Sequence, residues 1–171
     1  MKYLLLTTGG TIDAAAYPES GRPQYSTITG EHRAQKAMQD IAGDAVDARE
    51  ICEKDSKDIN DGDIAALSAC VRAATGYSRV IVTTGTDRMS EIAQKLSDAV
   101  PALPCPVVFT GAIVPLANGV KSDGWNNLKR AMLDQPDLAP GIYIAMGDVF
   151  NVHTNVYKDF EREIFVDRTR G

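Results

Sequence analysis

Histidine and cysteine are scarce in this sequence, and their scarcity limits the chemistry that the chain can perform. Its 171 residues include two histidines, His32 and His153, and three widely spaced cysteines, Cys52, Cys70 and Cys105. Two histidines are few for a His-based metal site or a Ser-His triad, and the cysteines lack metal-ligand spacing. We predict reduced cysteines that serve as packing residues in a cytoplasmic protein, with no metal or organic cofactor.

Basic runs and long apolar runs are also lacking. The 18 Lys and Arg residues are scattered, the formal net charge is -5 and the pI is near 5.0. This balance argues against a nucleic-acid partner, and no apolar stretch is long enough for a membrane span. Met1-Lys2 leads directly into an apolar run, which leaves no room for a signal peptide. With 44% hydrophobic residues, one well-packed domain over residues 1–171 is expected.

The stretch YLLLTTGGTI, residues 3–12, organises the remainder of the chain. Its apolar start predicts a buried strand, and Gly9-Gly10 predicts a tight turn in which the backbone can approach a ligand. Thr11 follows this turn, at the strand end where open α/β sheets bind their ligands. For residues 7–11 alone, an ordinary tight turn capped by Thr11 is an equally good interpretation.

Further apolar runs alternate with helical patterns along the chain. Strands are predicted at 3–6, 45–52, 80–82, 107–109 and 142–146, and helices at 31–41, 60–74, about 87–96 and 125–133. This order predicts an α/β fold: an open parallel, flavodoxin- or Rossmann-like sheet of about five main strands with helices on both faces. A short β-hairpin is predicted from 149–150 and 152–153. Residues 13–30 are predicted to form a long irregular loop, and the charged end, 158–170, is predicted to fray.

Four of the predicted strands end in turns rich in hydroxyl, Gly or carboxylate residues, and these turns are expected to form a pocket. Thr11 and Thr86 are candidate nucleophiles, Asp87 adjoins one of them, and Lys158 is the obvious late base. Lysine acts as a base only where burial or nearby positive charge favours its neutral form and a carboxylate holds it. Backbone N–H groups at Gly10 and Gly85 could stabilise an oxyanion, so the set fits acyl transfer from a small amide. The competing interpretation is that Lys158 is simply solvated.

Four motifs then occur in a recognisable order: TGGTI at 8–12, GTD at 85–87, TGA at 110–112 and SDG at 122–124. Together they resemble the bacterial-type L-asparaginase/glutaminase family. The resemblance implies that Thr11 attacks the side-chain amide of asparagine, giving an acyl-enzyme and ammonia. It also implies that Tyr25 is the loop phenol that helps to activate Thr11, in preference to Tyr17. Thr86, Asp87 and Lys158 would form a second catalytic set with Lys158 as its base.

The same resemblance implies a substrate-binding set. Ser56 would bind the α-carboxylate, Asp87 the α-amino group, and the backbone of Ala112 the leaving amide. The full set is Gly10, Asp55, Ser56, Lys57, Gly85 and Ala112. Three positions depart from the family pattern: Lys57 replaces a common glutamine, Thr84 a histidine, and Val114 an arginine.

The resemblance covers nearly all of this chain but only the larger, N-terminal domain of the family. It implies L-asparagine as substrate, glutamine as a poorer one, and a homo-oligomer, either a dimer or a tetramer. Because a short form with an open site has fewer groups to desolvate and fix its substrate, we also predict a high KM. Two other functions stay open. The chain could be a non-catalytic amino-acid-binding or regulatory domain, or a relative that acts on another amide or ester, such as a lysophospholipid or amidated tRNA. The acidic charge disfavours tRNA.

Overall fold

A six-stranded sheet forms the centre of the computed structural model, which describes residues 1–170. Its strands are β1 (Tyr3–Gly9), β2 (Val46–Lys54), β3 (Arg79–Thr83), β4 (Val107–Thr110), β5 (Ile142–Met146) and β6 (Val149–Val152). They lie in the order β2-β1-β3-β4-β5-β6; the pairs among β1 to β5 are parallel, and β6 runs antiparallel to β5. A separate antiparallel hairpin joins β7 (Val156–Asp159) to β8 (Ile164–Asp167).

Helices cover both faces of the sheet because alternate side chains of each strand point to opposite sides. The helices are α1 (Arg33–Ala42), α2 (Asp61–Arg72), α3 (Met89–Ala99) and α4 (Gly124–Leu133). Leu4 and Leu6 belong to the core that includes buried residues of α2 and α3, whereas Leu5 belongs to the core shared with α1 and α4. This arrangement confirms the predicted α/β class, in which strands buried on both faces are continuously apolar.

The predicted short β-hairpin near the C-terminus is confirmed, but it lies later in the chain than residues 149–153. Residues 149–152 form one strand, β6, which turns back at Gly147 and pairs with β5. The separate hairpin lies later, in the charged stretch that was expected to fray. Val156 and Phe165 hold it there, because both side chains pack into the larger core.

Residues 14–30 form the predicted irregular segment, here named the β1–α1 loop. It is fixed at few points: Ala14 and Ile28 form an isolated bridge, and the Tyr17 backbone N–H donates to Asn118 Oδ1 at 2.9 Å. The Asn118 side-chain amide donates in return to the Tyr17 carbonyl at 3.1 Å. Two distant segments are thereby joined at the edge of the sheet where the parallel strands end.

Within residues 1–170, none of the helices has both the length and the apolar character needed to cross a membrane.

Candidate active site

The turns after β1, β2 and β3 meet with almost no space between their backbones. Gly10 has a φ of 84°, and a Cβ atom there would lie 2.3 Å from the Gly85 nitrogen. A Cβ at Gly85 would lie 2.9 Å from the Cβ of Ser56. Only glycine allows backbones to approach this closely, so the two glycines bring the three strand ends together.

These strand ends form a small polar cleft. Most of the predicted site residues line it: Gly10, Thr11, Asp55, Ser56, Gly85, Thr86 and Asp87. Arg22, Ser26 and Ile28 of the β1–α1 loop complete its wall. The cavity volume is about 10 Å³, roughly the space that one water molecule needs. This narrow space is the part of the cleft beside Thr11, and it continues into a cavity of about 440 Å³ that shares Arg22, Ser26, Ile28, Asp55 and Asp87.

Thr11 lies at the base of the cleft with its side chain largely buried. The Tyr17 hydroxyl donates to Thr11 Oγ1 at 3.4 Å, and Ser26 Oγ lies 3.5 Å from the same atom. Tyr17 and Ser26 are themselves 3.1 Å apart. Thr11 is thus one of three hydroxyl groups in mutual contact, two of which come from the β1–α1 loop.

Tyr25 does not lie beside Thr11, where it was expected. Its side chain is 78% exposed, and its hydroxyl contacts only the neighbouring Gln24 amide among the described residues. Tyr17 takes the place beside Thr11 because Asn118 holds both its backbone N–H and its carbonyl. Since Asn118 is distant in sequence, spacing along the loop gave no signal that would have identified Tyr17.

Lys158 joins the cleft from β7 and is buried, not solvated: its side chain is 2% exposed. Its Nζ donates to Thr86 Oγ1 at 3.0 Å and to Asp87 Oδ1 at 2.6 Å. It also lies 3.1 Å from Glu163 Oε2. The ammonium group therefore has three acceptors, and the hydroxyl, amine and carboxylate of the predicted second set are in direct contact.

Asp87 receives a second cation on its other oxygen. Lys57 Nζ lies 3.1 Å from Asp87 Oδ2. Burial opposes ionisation of Asp87, but hydrogen bonds from Lys158 and Lys57 outweigh burial and hold its pKa below the ordinary value. The carboxyl is therefore an anion at neutral pH, held between two ammonium groups.

Glu163 and Arg22 extend this ion-pair network, and neither was predicted from the sequence. Arg22 Nη1 lies 2.8 Å from the same Glu163 oxygen that contacts Lys158. Burial acts to lower the pKa of Arg22, but the Glu163 carboxylate and its hydrogen bond raise it overall. The sequence does not predict which ion pairs these loop and C-terminal residues form, because the fold brings their partners from distant parts of the chain.

Ser56 is buried beside Gly85, as its predicted place in the cleft requires. The Arg88 N–H donates to Ser56 Oγ at 3.3 Å. The Arg88 guanidinium donates to the carbonyls of Ser56, Lys57 and Ile59 at 3.1–3.2 Å. Arg88 thereby fixes the turn that presents Ser56 and Lys57.

The structure does not support two predicted backbone contacts with the substrate, those of Ala112 and of the Gly10 N–H. Ala112 is fully buried in the core shared with α1 and α4, and it does not line the cleft. The Gly10 N–H donates to the Lys54 carbonyl at 3.0 Å, so it is not free to bind an oxyanion. Within residues 1–170, the Gly85 N–H makes no such bond, and it stays a candidate oxyanion donor.

A family comparison agrees with this geometry. Residues 2–160 match the family described as "Asparaginase, N-terminal". The chain belongs to the asparaginase family.

Individual asparaginases are similar over most of this chain. An L-asparaginase from Thermococcus kodakarensis is 32% identical over 160 residues, which cover 92% of this chain and 48% of that protein. The solved thermostable L-asparaginase from the same organism has a TM-score of 0.79 at 29% identity, covering 98% and 51% of the two chains. A probable cytoplasmic L-asparaginase from Campylobacter jejuni has a TM-score of 0.76 at 25% identity, covering 97% and 52%. The chain spans about half the length of these asparaginases.

The three positions that depart from the asparaginase pattern differ in their burial and contacts. Thr84 is fully buried, and its hydroxyl has no hydrogen-bond partner within residues 1–170. The N–H of Val114 donates to Asp123 Oδ1 at 2.9 Å, so the SDG motif fixes the backbone here. Lys57 is the departure that changes the charge of the cleft itself.

A possible set of metal ligands lies outside the asparaginase cleft. The ligand atoms of His32, Glu50 and Glu53 lie within 4.8 Å of one another. None of the three residues lines the cleft, and the carboxylates are exposed. The cleft chemistry can be described without them.

Proposed function

We propose that the chain hydrolyses L-asparagine to L-aspartate and ammonia through a threonine acyl-enzyme, with glutamine a poorer substrate. Membership of the asparaginase family supports the reaction class. The observation that carries the proposal is the buried chain of contacts from Thr86 through Lys158 to Asp87, in the cleft that also contains Thr11. A nucleophile, a base and an orienting carboxylate in mutual contact are what acyl transfer requires.

In the first half-reaction, Thr11 Oγ1 attacks the amide carbon of the substrate. The hydroxyl proton passes to Tyr17, the phenol nearest to Oγ1, and the phenolic proton passes to the leaving nitrogen. The C–N bond breaks, ammonia leaves, and an ester to Thr11 is formed. Gly85 lines the same cleft, and we assign stabilisation of the oxyanion to its N–H.

In the second half-reaction, water hydrolyses this ester. We assign the proton transfers of this step to Thr86 and Lys158, whose Nζ is 3.0 Å from Thr86 Oγ1. The base in this step is the Lys158 amine in its neutral form, which takes the Thr86 hydroxyl proton while Thr86 takes a proton from the attacking water. That proton passes to the Thr11 oxygen as the ester C–O bond breaks, and Asp87 keeps the amine directed at the Thr86 hydroxyl. Water attack on the ester carbonyl releases aspartate and restores the Thr11 hydroxyl.

Movement of the β1–α1 loop is part of the proposed cycle, because the space beside Thr11 is only about 10 Å³ in this arrangement. Tyr17 and Ser26 lie on this loop and contact Thr11. Closure over a bound substrate would therefore bring the activating phenol to the nucleophile and exclude water from the first step.

The test is ammonia release from L-asparagine and L-glutamine by the wild type, Thr11→Ala and Lys158→Met. We expect Thr11→Ala to abolish turnover and Lys158→Met to lower kcat on the order of 10²- to 10⁴-fold. Lys129→Met removes an exposed lysine of α4 and is the matched control, with kcat expected to be unchanged.

Two results would reject the proposal. One is full activity of either active-site variant. The other is a wild type that releases no ammonia but is thermally stabilised by L-aspartate, which would show an amino-acid-binding domain without turnover.

A further inference from the structure

Each oxygen of the Asp87 carboxylate already contacts a lysine ammonium group. Lys158 Nζ occupies Oδ1 at 2.6 Å, and Lys57 Nζ occupies Oδ2 at 3.1 Å. Among the described residues, the other carboxylate lining the cleft is Asp55, which is exposed and accepts the Lys57 backbone N–H at 2.9 Å. A substrate ammonium group that approaches Asp87 would therefore compete with Lys57 for the same partly buried carboxylate.

The position of Lys57 is built into the fold. Asp55 caps the short 3-10 turn Ser56–Asp58. The Arg88 guanidinium donates to the carbonyls of Ser56, Lys57 and Ile59. The backbone is thus fixed, while the Lys57 side chain is 67% exposed. Such a side chain can reach Asp87 from solvent without any change in the turn.

We propose that Lys57 occupies the subsite for a substrate α-ammonium, so that the cleft favours ω-carboxamides that carry a carboxylate but no free α-ammonium group. Succinamate, which is L-asparagine without its amino group, represents this class. The inference rests on the proposed hydrolase function and names the substrate class of the same site.

Charge supports this selection. Lys57, Lys158 and Arg22 place three cations around the cleft, and Glu163 already pairs with two of them. A ligand carboxylate meets Lys57 and Arg22 favourably, whereas an α-ammonium meets repulsion from the lysines and competes with Lys57 for Asp87. Lys57 is therefore a specificity-determining residue that makes L-asparagine a poorer substrate than the same amide without its α-ammonium group.

The test compares succinate with L-aspartate, two dicarboxylates that differ only in the α-ammonium group. Their dissociation constants are measured by calorimetry for the wild type, Lys57→Gln and Lys36→Gln. Lys36 is exposed on α1 and forms no ion pair within residues 1–170, so its variant controls for loss of one positive charge. Any general attraction of carboxylates by Lys57 cancels in the ratio of the two constants.

We expect the wild type and Lys36→Gln to bind succinate at least fivefold more tightly than L-aspartate. Lys57→Gln should reduce this ratio at least fivefold, and the ratio of kcat/KM for succinamate over L-asparagine should fall in parallel. Preference of the wild type for L-aspartate, an unchanged ratio in Lys57→Gln, or binding of neither ligand would overturn the inference. Because binding does not require turnover, the preference can hold even if the proposed hydrolysis fails, and hydrolysis can be found without the preference.

Discussion

Gly10 illustrates how a single backbone position holds the cleft together. Its φ of 84° and ψ of -179° lie in a region that residues with a Cβ rarely adopt. In addition, a Cβ would lie 2.3 Å from the Gly85 nitrogen. We expect Gly10→Ala to lower the melting temperature and to abolish ammonia release, because the turns after β1 and β3 must separate.

Gly21→Ala is the matched control for this variant. Gly21 also has a positive φ, 112°, but nothing lies within 4 Å of its missing Cβ. Conformational strain alone costs about 1–3 kcal/mol, so thermal unfolding should show a smaller loss for Gly21→Ala than for Gly10→Ala. Equal losses would mean that the close approach to Gly85 contributes nothing.

Asp13 is the buried carboxyl for which a pH dependence can be predicted. Burial raises its pKa above the ordinary value, against the opposing effect of the Ala34 N–H that donates to Oδ1 at 2.8 Å. The folded state therefore binds the proton more tightly than the unfolded state, and stability attributable to Asp13 falls as pH rises from about 4 through the folded pKa.

The Asp13→Asn variant has no such titration. The difference in free energy of unfolding, wild type minus Asp13→Asn, should therefore decrease between pH 4 and pH 7 in urea titrations. An increase over this range would show that hydrogen bonds to the carboxylate outweigh its burial.

At the scale of elements, the β7–β8 hairpin positions the amine of the active site. Lys158 and Phe165 are cross-strand partners, and Phe165 is buried in the larger core. Loss of packing at Phe165 should shift Lys158 relative to Thr86, and small displacements of catalytic groups have large effects on rate. We expect Phe165→Leu to lower kcat at least tenfold while the protein stays folded.

Tyr157→Leu provides the comparison on the opposite face of the same strand. Tyr157 is exposed, so its replacement should leave kcat within about twofold of wild type, since exposed substitutions usually have small effects. If the two variants have the same kcat, the packing of the hairpin does not position Lys158.

The elements also show which features of the fold the sequence predicts. The strands β1, β3, β4 and β5 were identifiable because they are short apolar runs buried on both faces. The β7–β8 hairpin was missed because its inward positions include Lys158 and Asp167, whose partners come from other parts of the chain. Buried polar residues break the alternation on which strand prediction depends.

The same distinction applies to the candidate site. Thr11, Thr86 and Asp87 follow strands that the sequence identifies, so their meeting at one sheet edge was predictable. Tyr17 and Glu163 were not predicted, because contacts with Asn118 and Arg22 across the fold determine where they lie.

At the scale of the whole molecule, the parallel sheet brings its polar turns to one edge, and the β1–α1 loop and the β7–β8 hairpin close over them. The chain spans about half the length of the asparaginases it matches. A single domain over residues 1–171 and a homo-oligomer, as dimer or tetramer, stay predictions.

We propose that this edge of the sheet transfers an acyl group from an amide to Thr11. Hydroxylamine tests it most directly, because it can replace water in attacking the ester and converts an aspartyl-enzyme into a β-hydroxamate. The wild type and the exposed control Thr154→Ala should form this hydroxamate from L-asparagine, and Thr11→Ala should form none. Two results would contradict an acyl-enzyme on Thr11. One is ammonia release without hydroxamate at any hydroxylamine concentration, and the other is hydroxamate formation by Thr11→Ala at the wild-type rate.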